Sequence, residues 1–134
     1  MTKKRILLVD DELMLLFSMR RMLEDLCDVT IASGGRKAID LINKGDKHFD
    51  LIICDISMPD INGVNFFLYI AKHHPGLEKR IIFMTGGPMS AYLDDFFADN
   101  KNLCLSKPFD YDKLRQTIKD FLDLNQTPVS SKGS

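Results

Sequence analysis

The sequence predicts an α/β domain, a parallel sheet wrapped by helices, on three observations. Short β-rich apolar runs alternate with longer segments of helical period through five β/α units, the order expected when helices connect parallel strands. The first run is continuously apolar from Ile6 to Val9, as a strand covered on both faces would be. The length of 134 residues suits a single core able to bury such a sheet.

The elements follow in order. Arg5 to Val9 is a strand that stops at two acids, Asp10 and Asp11. Leu15, Met19, Met22 and Leu26 then recur at spacings of four, three and four, lining one helix face. Asp28 to Ala32 is a second strand, broken by Ser33, Gly34 and Gly35 ahead of a helix carrying Ala38, Ile39 and Ile42. Phe49 to Cys54 is a third strand ending at Asp55. Met58, Pro59, Asp60, Ile61, Asn62 and Gly63 form a loop, because the prolyl ring and the glycine discourage a continuous element. Helical spacing restarts with Val64, Phe67, Leu68 and Ala71 and ends at Pro75 and Gly76, with His73 and His74 as the helix end.

Arg80 to Met84 is a fourth strand, closed by Thr85, Gly86 and Gly87. Ala91 to Asn100 is the next helix, its stripe blurred by three aspartates and two adjacent phenylalanines. Asn102 to Leu105 is the fifth strand, followed by Ser106, Lys107 and Pro108, and Leu114, Ile118, Phe121 and Leu122 give a last amphipathic helix. The folded domain is expected over residues 4–124. The polar stretch from Asn125 to Ser134 is expected to be a disordered tail, with Ser131 to Ser134 as a cloning remnant.

A net charge of −1 and a pI near 6.3 supply no field to draw the chain to nucleic acid or to an anionic membrane. Lys3, Lys4 and Arg5 precede an apolar run too short for a signal peptide, and no stretch approaches the roughly 20 apolar residues of a membrane span. No nucleic-acid partner and no membrane insertion are expected. Cys27, Cys54 and Cys104 are odd in number and form no C-x-x-C pair, which reads as reduced core thiols in a cytoplasmic protein rather than a metal or redox centre.

The chemistry-bearing residues fall at the C-terminal ends of the strands, where open α/β sheets bind their ligands. Asp10 and Asp11 follow the first strand, Asp55 the third, Thr85 the fourth and Lys107 the fifth. An aspartate ordinarily ionises near pH ~4, so three such carboxylates gathered at one place repel one another until a cation neutralises them. Oxygen donors of this kind suit Mg²⁺. Lys107 adds a compact positive charge, and the Thr85 hydroxyl and free N–H groups beside the glycines can bind phosphoryl oxygens. The set suits phosphoryl transfer to a carboxylate. Each residue also has an ordinary reading alone: acids at a helix start, a turn aspartate, a helix-capping threonine, a surface lysine. Their common position at strand ends, in order, separates the two readings, since unrelated caps have no reason to align.

Ile6-Leu-Leu-Val-Asp10-Asp11-Glu12, Asp55-Ile-Ser-Met58-Pro59-Asp-Ile-Asn-Gly63, Met84-Thr85-Gly86 and Lys107-Pro108-Phe109 resemble the motifs of response-regulator receiver domains. The resemblance runs from about Lys4 to Leu124. It implies a flavodoxin-like (βα)5 fold with sheet order 2-1-3-4-5. It further implies Asp55 as phosphoacceptor, and Mg²⁺ held by Asp10, Asp11, Asp55 and the carbonyl of Ser57. Thr85 would reorient toward the phosphoryl group and Lys107 would pair with it, across a cis Lys107–Pro108 bond. Gly86 would leave room for the group, and Met58, Pro59 and Gly63 would shape the loop over the site. The implied partner is a histidine kinase or histidine phosphotransfer protein, and the implied role is a switch rather than an enzyme with turnover. The Arg80–Gly87 and Cys104–Phe109 stretches are also similar to the C-terminal receivers of hybrid sensor histidine kinases.

One position departs from the common pattern. Many receivers carry an aromatic ring three residues before the lysine, where this chain has Cys104. Ser57 and Gly87 occupy positions that tune dephosphorylation and carry no acid or amide to assist water, so a long-lived phosphoryl group is expected. Among competing readings, a flavin mononucleotide protein would need a phosphate-cradling loop where Asp10-Asp11-Glu12 stands. An aspartyl phosphatase would resemble Asp-x-Asp rather than adjacent acids. A pseudo-receiver, acting as a docking scaffold, would lack part of a site that is complete here.

Overall fold

The computed structural model describes residues 3–87 and 90–126, the side chains of 124–126 excepted. Five strands, β1 (Lys4–Val9), β2 (Cys27–Ala32), β3 (Leu51–Asp55), β4 (Ile81–Thr85) and β5 (Cys104–Ser106), alternate with α1 (Leu13–Leu23), α2 (Gly35–Lys44), α3 (Gly63–His73), α4 (Ala91–Asp99) and α5 (Tyr111–Gln126). The strands form one sheet of order β2-β1-β3-β4-β5, with every neighbouring pair parallel. Both the expected fold class and the expected order are found.

Strand side chains alternate between two helical layers, as the two-residue period requires. Leu7, Val9, Ile52, Cys54, Ile81 and Phe83 face a core shared with α2 and α3. Ile6, Leu8, Leu51, Ile53, Ile82 and Met84 face a second core shared with α1 and α5. All five β3 residues are buried, which explains why this central strand reads as an unbroken apolar run.

The stripe expected on the first helix is found in part: Met19 is buried as expected, but its fully buried companions stand one position on from Leu15 and Met22. Leu16, Met19 and Leu23 are the buried residues of α1, while Leu15 and Met22 flank them and Leu26 lies beyond the helix end. Val64 and Phe67 are buried as expected, but Leu68 is 53% exposed, and α3 buries Phe66 and Ile70 besides. The adjacent Phe96 and Phe97 that blur the α4 stripe both serve packing. Their ring centroids lie 5.7 and 5.6 Å from that of Phe83, in edge-on arrangements favoured by the ring quadrupoles.

Side chains set the strand starts. Asp50 precedes β3 and accepts the Arg5 N–H at 2.9 Å. Arg80 belongs to a 3₁₀ turn, Leu77–Arg80. The Asn102 amide donates to the carbonyls of Glu78 and Ile81 at 2.9 and 2.7 Å, so β5 begins only at Cys104. Helix α5 continues through Gln126, so Asn125 and Gln126 are helical rather than tail. The remainder of the expected tail lies outside the described residues. Among the described residues no helix is long and apolar enough to cross a membrane.

Candidate functional site

Strand register builds the site. Val9 is level with Cys54 across β1 and β3, so the next residues, Asp10 and Asp55, finish adjacent central strands side by side. Asp55 is level with Met84 and Thr85 with Ser106, which sets Thr85 one residue further out and Lys107 one further again. The order of strand ends noticed in the sequence thus becomes a spatial row.

Asp10 is fully buried and Asp55 is 5% exposed, while Asp11 is exposed at the rim. Each of the three offers a carboxylate oxygen within 4.8 Å of the others. Hard oxygen donors at this spacing fit a hydrated divalent cation such as Mg²⁺, which one or two carboxylates usually hold. The Lys107 ammonium partly balances the cluster, with Nζ 2.8 Å from Asp10 Oδ2 and 3.5 Å from Asp55 Oδ2. The peptide bond from Lys107 to Pro108 is cis.

Burial, then the neighbouring Asp10 carboxylate, pushes the Asp55 carboxyl up to about 6, against the opposing pull of Lys107 and of the Ser57 N–H. Burial acts to lower the Lys107 ammonium, but the carboxylates of Asp10, Asp55 and Glu12 raise it above its ordinary value. The cluster therefore has more negative charge than one lysine neutralises.

The loop after β3 closes back on its own start. Gly63 donates its N–H to the Ile56 carbonyl at 2.8 Å, and a Cβ on it would stand 2.8 Å from the Asp55 carbonyl oxygen. Met58 is buried in the core while Ser57 and Pro59 are exposed, and the Ser57 N–H donates to Asp55 Oδ1 at 3.4 Å. Gly86 is less constrained, since an added Cβ would make only ordinary contact, 3.6 Å from Lys107 Cδ. Thr85 is less engaged with the acidic cluster than its sequence position suggests. Its hydroxyl donates to the Gly87 carbonyl at 3.3 Å and accepts the Gly87 N–H at 3.5 Å, bonds within its own loop.

Cys104 stands opposite Phe83 in the β4–β5 register and is half-buried against the core that Phe83, Phe96 and Phe97 share. Burial raises its thiol. All three cysteines are free, with Cys27 and Cys54 buried.

Two residues within the quoted motifs carry no site role of their own in the sequence. Glu12 sets a carboxylate oxygen 3.4 Å from Lys107 Nζ and donates its N–H to Asp10 Oδ1 at 2.9 Å. Asp60 takes N–H groups from the start of α2, 25 residues away for Gly35. The first reads as a helix-start acid and the second as a turn residue, because the partners of both are supplied by other elements.

A family profile described as "Response regulator receiver domain" matches residues 6–119. Transcription factor SKN7 of Chaetomium thermophilum is 32% identical over 121 residues, 90% of this chain and 16% of that protein. Transcriptional regulatory protein CrdR of Helicobacter pylori is 30% identical over 128 residues, 95% of this chain and 58% of its own length. Virulence sensor protein BvgS of Bordetella bronchiseptica is 33% identical over 122 residues, 87% of this chain and 10% of that protein. The chain thus spans less than two thirds of the length of these relatives. Among solved structures, a CheY-like response regulator receiver domain protein from Methanospirillum hungatei superposes with a TM-score of 0.82 at 29% identity, covering 93% of this chain and 98% of that one.

Proposed function

This chain belongs to the response-regulator receiver family, and from that premise we propose that it is a phosphorylation switch whose Asp55 accepts a phosphoryl group from a phosphohistidine. The observation that carries the proposal is the buried Asp55 carboxylate at a strand end, with the Lys107 ammonium 3.5 Å away and two further carboxylates within reach of a shared cation.

An Asp55 carboxylate oxygen attacks phosphorus, the new P–O bond forms, and the P–N bond to the donor imidazole breaks. The leaving nitrogen keeps the bonding pair and takes a proton from solvent. The Lys107 ammonium, already paired with Asp55, would pair with the phosphoryl oxygens as they arrive, an electrostatic role. Asp10, Asp11, Asp55 and the Ser57 carbonyl would hold Mg²⁺, which when bound supplies positive charge to a phosphoryl group that the acids alone would repel.

The Thr85 hydroxyl, released from Gly87, is the group that would turn to the new phosphoryl oxygen, with Gly86 leaving space beside it. Cys104 puts no ring behind that movement, so the response passes through the packing of Phe83, Phe96 and Phe97. Ser57 and Gly87 give no acid or amide to direct water, which favours a persistent acyl phosphate. The partner is a histidine kinase or histidine phosphotransfer protein, met by this chain in the cytoplasm. The family occurs in relatives named as sensors and as transcriptional regulators, and the role proposed for this chain is the switch, with no catalytic turnover beyond its own phosphorylation and slow dephosphorylation.

The test is intact mass after incubation with acetyl phosphate and Mg²⁺. One phosphoryl adduct, dependent on Mg²⁺ and missing in Asp55→Asn, is expected. An unmodified mass under every condition would leave a docking scaffold as the better reading.

A further inference from the structure

Helix α2 begins at a pair of glycines and carries no cap of its own, because Gly34 at the N-cap has no side chain to offer. Gly34 and Gly35 are buried, and a helix N-terminus shielded from water needs protein acceptors for its first N–H groups. Here the acceptor comes from the loop beyond β3. Asp60 takes the Arg36 N–H at 3.0 Å through Oδ2 and the Gly35 N–H at 3.4 Å through Oδ1, and the same Oδ1 takes the Ile61 N–H at 2.8 Å. The glycines are required by this approach. A Cβ at Gly34 would stand 2.8 Å from Asp60 Oδ2, and one at Gly35 would overlap the Ile61 side chain.

The same loop begins at Asp55. Its ends are fixed by Ile56, whose N–H donates to the Met84 carbonyl, and by Gly63, whose N–H returns to the Ile56 carbonyl. Between them, Met58 inserts into the core and Asp60 reaches α2. Ser57 lies in the span controlled by these attachments. We infer that Asp60 is a positioning residue for the acidic site, tying the Ser57–Met58 backbone to α2 so that the loop is preformed for the divalent cation. This rests on the reading of Asp10, Asp11, Asp55 and Ser57 as the cation's ligands. A site that is competent only part of the time binds more weakly by that fraction, and loss of a helix cap is large enough to open such a gap.

The experiment is calorimetric titration of the whole chain with Mg²⁺ alone, alongside the Mg²⁺ dependence of adduct formation from acetyl phosphate. Asp60→Ala is expected to weaken Mg²⁺ binding about fivefold and to raise the half-saturating Mg²⁺ equally, while the rate at saturating Mg²⁺ is kept. Asp60→Asn, which retains an acceptor oxygen, restores most of the affinity. Gly34→Ala, which leaves Asp60 in place but crowds its carboxylate, moves affinity in the same direction and serves if Asp60→Ala does not fold. Asp25→Ala removes the remote Arg115 pair and is the control for general destabilisation. Unchanged Mg²⁺ affinity in both Asp60→Ala and Gly34→Ala, or an equal loss in Asp25→Ala, overturns the inference. If the unaltered chain binds Mg²⁺ but takes no phosphoryl group, the phosphoacceptor reading fails while the calorimetry still decides this one; if it binds no Mg²⁺, both fall.

Discussion

Lys107 reaches Asp10 across 97 residues of sequence, its Nζ 2.8 Å from a carboxylate that is completely shielded from solvent. A buried charge without its partner costs more than a well-made pair contributes. Lys107→Met therefore lowers the unfolding free energy in EDTA at pH 7 by about 2–4 kcal/mol, read by urea denaturation. Added Mg²⁺ recovers part of that loss by replacing the missing positive charge. Unaltered stability in EDTA would show that Asp10 needs no counter-charge.

Asp55 works in the opposite sense. Its carboxyl is raised from 3.8 to about 6 in the folded chain, so the native state holds its proton more tightly than the unfolded state. The associated stability is full below about pH 4 and lost as pH rises through 6. An asparagine cannot ionise, so Asp55→Asn is expected to stabilise the metal-free chain by about 1–3 kcal/mol at pH 7.5. That advantage disappears near pH 4. A variant no more stable than the parent in EDTA at pH 7.5 contradicts the assignment.

Two glycines at the site should respond differently. At Gly63 the added methyl meets the Asp55 carbonyl oxygen at 2.8 Å and Ile56 Cα at 2.9 Å, both backbone atoms that cannot easily yield. Gly63→Ala is expected to cost about 1–3 kcal/mol in thermal or urea unfolding. At Gly86 the nearest atom is the flexible Lys107 chain at 3.6 Å, so Gly86→Ala keeps stability within about 0.5 kcal/mol and slows phosphoryl uptake by crowding the space beside Thr85. Equal stability losses in the two variants would refute this distinction.

The carboxyl of Asp60 is held below its usual range: burial pushes it up, but the N–H groups of Arg36, Ile61 and Gly35 together outweigh that effect. A depressed carboxyl stabilises the fold above its unfolded pKa and loses that contribution as pH falls through the folded value. Asp60→Ala thus costs at most about 1 kcal/mol at pH 7, reduced by solvent screening because the group is exposed. The gap between variant and parent closes below pH 3.8. A gap that is constant from pH 7 to pH 3 argues that the carboxylate charge is not involved.

The distances from sequence to structure are uneven, and each has a physical reason. Asp10, Asp55, Thr85 and Lys107 were legible because each directly follows or ends a strand, and parallel pairing carries that one-dimensional position into a common edge. In the sequence a spacing of four from Val64 puts Leu68 on a buried face, but α3 turns its neighbouring stripe of Phe66 and Ile70 into the core. Phe96 and Phe97 look unpatterned until Phe83 is opposite both.

By itself the sequence determined the α/β class, the sequence of elements and which acids, hydroxyl and ammonium stand at the strand ends, because apolar period and strand-end position are local properties. Tertiary structure alone decided that Glu12 shares Lys107 with the buried acids, that the Thr85 hydroxyl rests on Gly87, and that Asp60 caps a helix 25 residues behind it. These contacts depend on how helices and loops settle against the sheet, and a side chain's partner across that gap leaves no periodic trace in its own segment.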